Sequence, residues 1–194
     1  MISHISGRLV EKTPTYVVIE AAGVGYHINI SLNTYSKLGT DEACKLYTHL
    51  SIKEDAHTLY GFKEQDERET FRKLISVNGV GASTARVMLS SLTPDELSSA
   101  IVSGNVAQIK SVKGIGQKTA ERIIIELKDK MGADVGSSAG FSLPQENSAQ
   151  SESIAALQAL GFPKNAVQKV VQKIVAVHPD FKVEAVIKEA LKHL

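Results

Sequence analysis

Two short glycine-containing turns are the residues of this sequence whose types and spacing could do chemistry. The segment from Leu74 to Val87 aligns with the segment from Ile109 to Arg122 at an offset of 35 residues, and each copy predicts a helix, a tight Gly-x-Gly turn and a second helix. The first glycine of each turn can supply a positive φ, and the apolar residue between the glycines can fill the gap between the helices. One such turn is weak evidence of function, but two matched copies are typical of a tandem helix-hairpin-helix.

The chemistry of such a turn is anion binding. The first N–H groups of the helix that follows have no intrahelical partner, and the helix dipole adds a positive potential there. A nucleic-acid phosphate is the expected anion, and because every nucleotide carries one, the contact is independent of base sequence. The residues predicted to contact DNA are Gly79, Val80, Gly81, Ala82 and Ser83 in the first copy, and Gly114, Ile115, Gly116, Gln117, Lys118, Thr119 and Arg122 in the second.

Enzyme chemistry fits the same residues less well. The spacing of Gly114, Gly116 and Lys118 differs from that of a Walker A loop, and neither turn has the third glycine or the preceding strand of a dinucleotide-binding fingerprint. The six histidines are scattered without a pair at metal-ligand spacing. We therefore predict that this chain has no catalytic residue, no metal site and no cofactor.

The pattern of apolar residues around the turns divides the chain into parts. Residues 1–62 contain short segments rich in Val, Ile, Thr and Tyr, which predict a small β-barrel, and residues 63–133 have the apolar period of helices. Glycines and serines without Lys or Arg predict a flexible linker at residues 134–150. Three short amphipathic patches in residues 151–194 predict a three-helix domain. The expected fold class is therefore mixed, with a β domain followed by all-α domains.

Composition excludes several classes of protein. The chain has 194 residues with 43% hydrophobic and 22% charged residues, which is ordinary for a globular protein and unlike a disordered one. The 22 basic and 21 acidic residues nearly balance, and only residues 63–133 are net positive, with eleven basic and nine acidic side chains. The single cysteine, Cys44, cannot form an internal disulfide. Because we find neither a membrane-spanning stretch nor a signal-peptide layout, we expect a cytoplasmic protein without membrane contact.

Five segments in order carry a resemblance to a known family. With the barrel, the tandem hairpins, the linker and the small helical domain in this order, the chain resembles the RuvA family. Its members are the Holliday junction-binding subunits of the bacterial branch-migration complex. The resemblance spans nearly the whole chain, and it implies an OB-like barrel, a tandem helix-hairpin-helix DNA-binding domain and a mobile ubiquitin-associated-like (UBA-like) third domain. The segments are Met1-Ile2 with Gly7-Arg8-Leu9, Gly23 to Tyr26, Glu54 to Phe62, Asn78 to Gly81, and Gly114 to Arg122.

The resemblance also implies a function and partners. The chain would be a non-catalytic subunit that holds a four-way junction open as a tetramer or double tetramer and directs the hexameric RuvB ATPase to it, with the RuvC resolvase in the larger complex. ATP and Mg²⁺ would be used by the motor. Glu54 and Asp55 would form an acidic pin that repels phosphates at the tetramer centre, whereas without the resemblance they indicate only a solvated hairpin tip.

The C-terminal part is expected to hold the partner-binding surface, somewhere between Ser151 and Leu194. The segment from Ala156 to Phe162 looks like the opening of a UBA-like domain, with Leu157 and Leu160 facing inward.

Two alternatives to junction binding stay open. One is a junction nuclease or glycosylase built on helix-hairpin-helix architecture, and the other is a duplex-binding protein without structural preference. The hairpins also depart from the family, since Ser83 and Thr84 stand where it often has lysine, and Gln117 replaces another lysine. Fewer charged contacts predict a shallower dependence of DNA affinity on salt.

Overall fold

The N-terminal part is a closed five-stranded barrel. The computed structural model describes residues 1–39, 41–132 and 148–194. The strand order around the barrel is β1-β2-β3-β5-β4, with β3 and β5 parallel and the other neighbours antiparallel. Inward-facing Val, Ile and Leu side chains are buried in its interior, as strand alternation requires. The strands are β1 His4–Lys12, β2 Tyr16–Ala21, β3 Val24–Ile30, β4 Ala43–Ile52 and β5 His57–Phe62.

A short helix, α1 Leu32–Lys37, lies between β3 and β4 and was not predicted from the sequence. Ser31 caps it, because its hydroxyl oxygen accepts a hydrogen bond from the N–H of Thr34 at 2.9 Å. Six mostly polar residues are too few to show a helical apolar period, which is why the pattern missed this helix.

Five helices follow the barrel and contain the two hairpins. Their starts and stops follow local signals: at α4, for example, Thr93 and Glu96 form a capping box, Pro94 occupies the first turn and Gly104 ends the helix with φ 73°. One core runs through all five helices and includes Tyr60 and Phe62 of the barrel. The helices are α2 Gln65–Ile75, α3 Ala82–Ser91, α4 Pro94–Ser103, α5 Val106–Lys110 and α6 Gln117–Gly132.

The described residues up to Gly132 belong to one compact unit, and those from Ser148 onward belong to a second. The expected boundary at residues 62 and 63 therefore separates two architectures within one packed unit. The second unit has three helices, α7 Ser148–Ala159, α8 Lys164–Val177 and α9 Val183–Ala190. The barrel, the five helices that follow it and the separate three-helix unit confirm the predicted fold class.

Two boundaries in the second unit differ from prediction. Helix α7 begins at Ser148, so residues 148–150 are helical and not part of the linker; residues 134–147 lie outside the described residues. The first turn of α7 is polar, and apolar spacing begins only at Ile154, so the pattern could not place this start. Helix α9 ends at Ala190, so the last four residues of the predicted three-helix domain lie outside its helices.

The prediction that Leu157 and Leu160 both face inward is half wrong. Leu157 is fully buried, but Leu160 is 62% exposed. Helix α7 ends at Ala159, and Gly161, with φ 98°, turns the chain so that Phe162 packs against the core instead. The N–H of Leu160 still donates to the carbonyl of Ala156 at 3.0 Å, so Leu160 lies at the very end of the helical pattern, and Phe162 packs against the core in its place.

Candidate nucleic-acid interface

The first hairpin joins α2 to α3 through residues 76–81. Its turn is closed by two backbone hydrogen bonds, from the N–H of Val77 to the carbonyl of Leu74 at 3.1 Å and from the N–H of Val80 to the carbonyl of Val77 at 3.0 Å. Gly79 has φ 93°, a conformation that L side chains rarely adopt. The N–H of Ala85 donates to the carbonyl of Gly81 at 2.9 Å, so the preceding N–H groups at the start of α3 are not used by the helix itself.

The second hairpin repeats this geometry residue for residue. Val112, Ile115 and Ala120 donate the equivalent hydrogen bonds, at 3.3, 3.1 and 3.0 Å, and Gly114 has φ 90°. The two plug residues are almost fully buried, Val80 at 4% and Ile115 at 6% exposure. The predicted tandem repeat is therefore a structural repeat, with α6 taking the place of α3.

The glycines leave free space in front of the exposed amides. A Cβ atom built on Gly81 or Gly116 would meet no other atom within 4 Å. Neither residue has a positive φ, so neither the fold's backbone nor its packing demands glycine there. An incoming anion could approach the backbone at these two positions without meeting protein atoms.

The side chains predicted to contact DNA at the helix starts differ in exposure. Ser83, Gln117 and Lys118 are exposed at the starts of α3 and α6, and Thr119 is half-buried. The Gln117 amide donates to the carboxylate of Glu121 at 2.6 Å, one turn along the same helix. No charged side chain stands at the opening turn of α3, so the second hairpin presents more positive charge than the first.

Arg122 links the two hairpins. Its Nη1 donates to the carbonyl of Asn78, in the turn of the first hairpin, at 3.1 Å. The sequence predicted a phosphate contact for Arg122 and did not predict this bond. The guanidinium has five donors, so this bond leaves others for an anion.

Glu54 and Asp55 lie at the tip of the β4–β5 ribbon. The N–H of Lys53 donates to the carbonyl of Ala56 at 2.9 Å, which closes a tight turn around the two acidic residues. Both side chains are exposed. The ribbon therefore ends in a small, solvent-facing concentration of negative charge.

The described residues, 1–39, 41–132 and 148–194, contain neither a metal-binding cluster nor a membrane-spanning helix. Within those residues, no group of three or more His, Cys, Asp or Glu is placed to hold a metal ion. In the same residues, none of the helices has the length and apolar character needed to cross a bilayer.

Comparison with known proteins shows the family to which the chain belongs. Family profiles match at residues 1–61 (RuvA N terminal domain), 71–129 (SAM-like helix-hairpin-helix tandem) and 148–194 (RuvA, C-terminal domain). Proteins named Holliday junction branch migration complex subunit RuvA are 55% identical in Christiangramia forsetii and 54% identical in Flavobacterium psychrophilum, with both chains covered fully. A third, from Bacteroides fragilis, is 49% identical over 201 aligned residues. The chain belongs to the RuvA family.

Membership of the RuvA family confirms the resemblance seen in the sequence. The profile for the RuvA C-terminal domain begins at residue 148, where α7 begins, and not at residue 151. The helix-hairpin-helix profile spans both hairpins and nearly all of α6.

Sequence reasoning missed the residues that hold this RuvA-family barrel against its hairpins. Glu67 of α2 is fully buried and accepts hydrogen bonds from Ser31 and Thr34 of the barrel part, and Arg86 of α3 donates to the Asn29 side chain at 2.8 Å. Burial raises the pKa of Glu67, while the two hydroxyls act in the opposite direction. A carboxylate four residues before Phe71, on the apolar face of α2, was the available signal.

Proposed function

We propose that this chain is the junction-binding subunit of a branch-migration complex, which holds a four-way DNA junction and does no covalent chemistry itself. The observation that carries the proposal is the pair of hairpins, which have the same hydrogen bonds, the same positive φ and the same open space before their amides. Its relatives are named Holliday junction branch migration complex subunits, which supports this use of the hairpins.

The hairpins would grip phosphates through the backbone. The first amides of α3 and α6 would donate to phosphate oxygens, with Ser83, Lys118 and Thr119 adding side-chain contacts. Arg122 would hold the spacing between the hairpins while its remaining donors reach a phosphate. Two equivalent grips tied together suit the two strands of one duplex arm, and neither reads base sequence.

The acidic pair would act in a tetramer. In a fourfold assembly, four copies of Glu54 and Asp55 would lie near one axis, at the tips of four β4–β5 ribbons. Like charges close together in a shielded centre repel phosphates, so strands would be kept apart at the crossover. A tetramer, or a double tetramer around the junction, is part of this proposal.

The second unit would connect the grip to a motor. We place a docking site for the RuvB ATPase between Ser151 and Leu194, because a small helical unit on a tether can find its partner at high effective concentration. The motor would use ATP and Mg²⁺, and this chain would need no cofactor. RuvC resolvase would join the larger complex, in the cytoplasm.

A competition assay tests junction recognition. A labelled four-way junction is bound to the full chain at moderate salt and challenged with excess linear duplex of the same sequence. We expect the complex to survive a large excess of duplex. If duplex competes as well as unlabelled junction does, the hairpins are a general duplex grip and the proposal is wrong.

Glycine variants test the surface that does the binding. In Gly81→Ala and Gly116→Ala the new methyl group meets no protein atom, so both variants should fold and yet lose junction affinity by about tenfold or more, because the phosphate can no longer reach the charge-assisted amide contacts. The control is Gly39→Ala in the barrel part, where the methyl makes only ordinary contacts. Unchanged affinity in both hairpin variants would contradict the assigned surface.

A further inference from the structure

The first hairpin lies between two helices that are both anchored to the barrel. Helix α2 enters the hairpin and helix α3 leaves it. From α3, Nη1 of Arg86 donates to Oδ1 of Asn29 at 2.8 Å and to the carbonyl of Thr15 at 3.1 Å. From α1, the N–H of Leu32 donates to the Ser90 hydroxyl at 3.1 Å. The direction of the hairpin is therefore set by the barrel on both sides.

Glu67 forms the buried part of this attachment, which we call the α1–α2 anchor and define as Glu67, Ser31 and Thr34. One carboxylate oxygen accepts from the Ser31 hydroxyl and the other from the Thr34 hydroxyl, the latter at 2.8 Å. All three residues are fully buried. Buried polar groups that are fully hydrogen-bonded define one arrangement and penalise others.

The hydrogen bonds of the anchor have a fixed direction. The Ser31 hydroxyl oxygen accepts from the N–H of Thr34, and the Thr34 hydroxyl oxygen accepts from the N–H of Lys63 at 3.3 Å. Each hydroxyl therefore uses its oxygen for a backbone donor and its hydrogen for the carboxylate. Two hydroxyl donors on the two oxygens suit an ionised Glu67, and an amide in its place would leave one of the two hydroxyl hydrogens without its acceptor.

The same helix is packed against the ribbon that carries the acidic pair. Phe71 lies one turn after Glu67. The centroid of its ring is 5.4 Å from that of His49, 5.1 Å from that of Tyr60 and 4.9 Å from that of Phe62. His49 pairs with Tyr60 across the ribbon, and the last pair before the acidic turn lies three residues further along β4. That is about 10 Å at the usual strand rise. Helix α2 thus contacts both the ribbon of the pin and the turn of the first hairpin.

We propose that Glu67 is a positioning residue for junction recognition: held by Ser31 and Thr34, it fixes the hairpins relative to the acidic turn. The inference rests on the proposed function. A duplex needs only the hairpins, whereas a junction needs hairpins and acidic turn in one fixed relation. Arg122 carries this fixed geometry from the first hairpin to the second.

Thr34 offers a matched pair of variants to test this in the full chain. Thr34→Val keeps the shape of the side chain and removes the hydroxyl, while Thr34→Ser keeps the hydroxyl and removes a methyl. For each variant the dissociation constants for a four-way junction and for linear duplex are measured together. We expect Thr34→Val to lower the junction-to-duplex preference about tenfold, the size of one hydrogen bond to a charged group, with duplex affinity unchanged within about twofold. Thr34→Ser should keep the wild-type preference.

Glu67→Gln provides a second variant with the same expected loss of preference, and Asp66→Asn is its control, because it removes an exposed charge from the same turn of α2. Equal losses of junction and duplex affinity in Thr34→Val and Glu67→Gln, or a loss in Thr34→Ser equal to that in Thr34→Val, would overturn the positioning role and leave a purely structural one. If the wild-type chain has no junction preference, the proposed function has failed and the positioning role falls with it.

Discussion

At the scale of single residues, the most informative side chain is Glu67, a carboxylate that is buried although burial disfavours its charged form. Glu67 is fully buried, and its two carboxylate oxygens accept from the hydroxyls of Ser31 and Thr34. Burial therefore dominates and raises its pKa, although the hydroxyls and the charge of Lys37 on α1 act to lower it. A buried charge held in this way defines geometry at a cost in stability.

This pKa shift predicts a pH dependence of stability. With the folded pKa raised above the unfolded value, the folded state binds more protons between the two values, so the free energy of unfolding should fall as pH rises through that interval. The fall should be about 1.4 kcal/mol per unit of pKa difference. Urea unfolding at a series of pH values measures this fall in the free energy of unfolding. The series starts at about pH 4, near the ordinary pKa of a glutamate carboxyl.

Glu67→Gln should remove this pH-dependent component, because an amide does not titrate there. Asp66→Asn should keep the wild-type slope. Parallel curves for the wild type and Glu67→Gln would show that Glu67 titrates alike in the folded and unfolded chains.

At the scale of elements, the two hairpins share a backbone and differ in charge. Their turns match in hydrogen bonds and in φ, but Lys118 opens α6 and no charged residue opens α3. We therefore expect the first hairpin to depend on amides and hydroxyls, and the second to depend also on charge. Local signals were enough to predict both turns, because glycine at a positive φ and a buried plug residue act over a few residues.

Added charge at the hairpins should steepen the salt dependence of binding. Ser83→Lys and Gln117→Lys place a cation at the exposed start of each helix, where a phosphate is expected. The slope of log affinity against log salt should become more negative by about 0.9 for each new phosphate contact on duplex DNA. Titrations at several salt concentrations measure this slope. Ser99→Lys, at an exposed position of α4, a helix that belongs to neither hairpin, is the control, and slopes equal to it would place the phosphates elsewhere.

At the scale of the whole molecule, the described residues form two compact units with separate cores. The first contains the barrel, the acidic turn and both hairpins, and the second contains three helices around Leu157, Val167 and Val171. Separate cores allow the separate tasks that we propose, DNA binding in the first unit and partner docking in the second.

Removing the second unit should separate these tasks. A chain lacking residues 146–194 should bind a four-way junction as well as the full chain does, and should fail to stimulate the ATPase activity of RuvB on that junction. Binding assays and ATP-hydrolysis rates, measured side by side with the full chain, check both parts. A folded truncation that no longer binds junctions would contradict this division.

The sequence by itself determined the features that depend on nearby residues. The barrel strands, the repeated hairpins and the helix ends at Thr93 and Gly104 follow from alternation, period and capping chemistry, all of which act within a few positions. Exposure of Leu160 was mispredicted at the end of α7, where the turn at Gly161 brings Phe162 to the core instead.

Only the tertiary structure decided how the barrel meets the hairpins. Glu67 meets Ser31 and Thr34 across 36 and 33 residues of chain, and Arg122 meets Asn78 across 44. No local pattern encodes such pairs, because the apolar face of α2 can mark Glu67 as buried but cannot name its distant partners. Glu67 is held beside Ser31 and Thr34 by a helix whose Phe71 packs on the barrel, in a core that the barrel and the helices share.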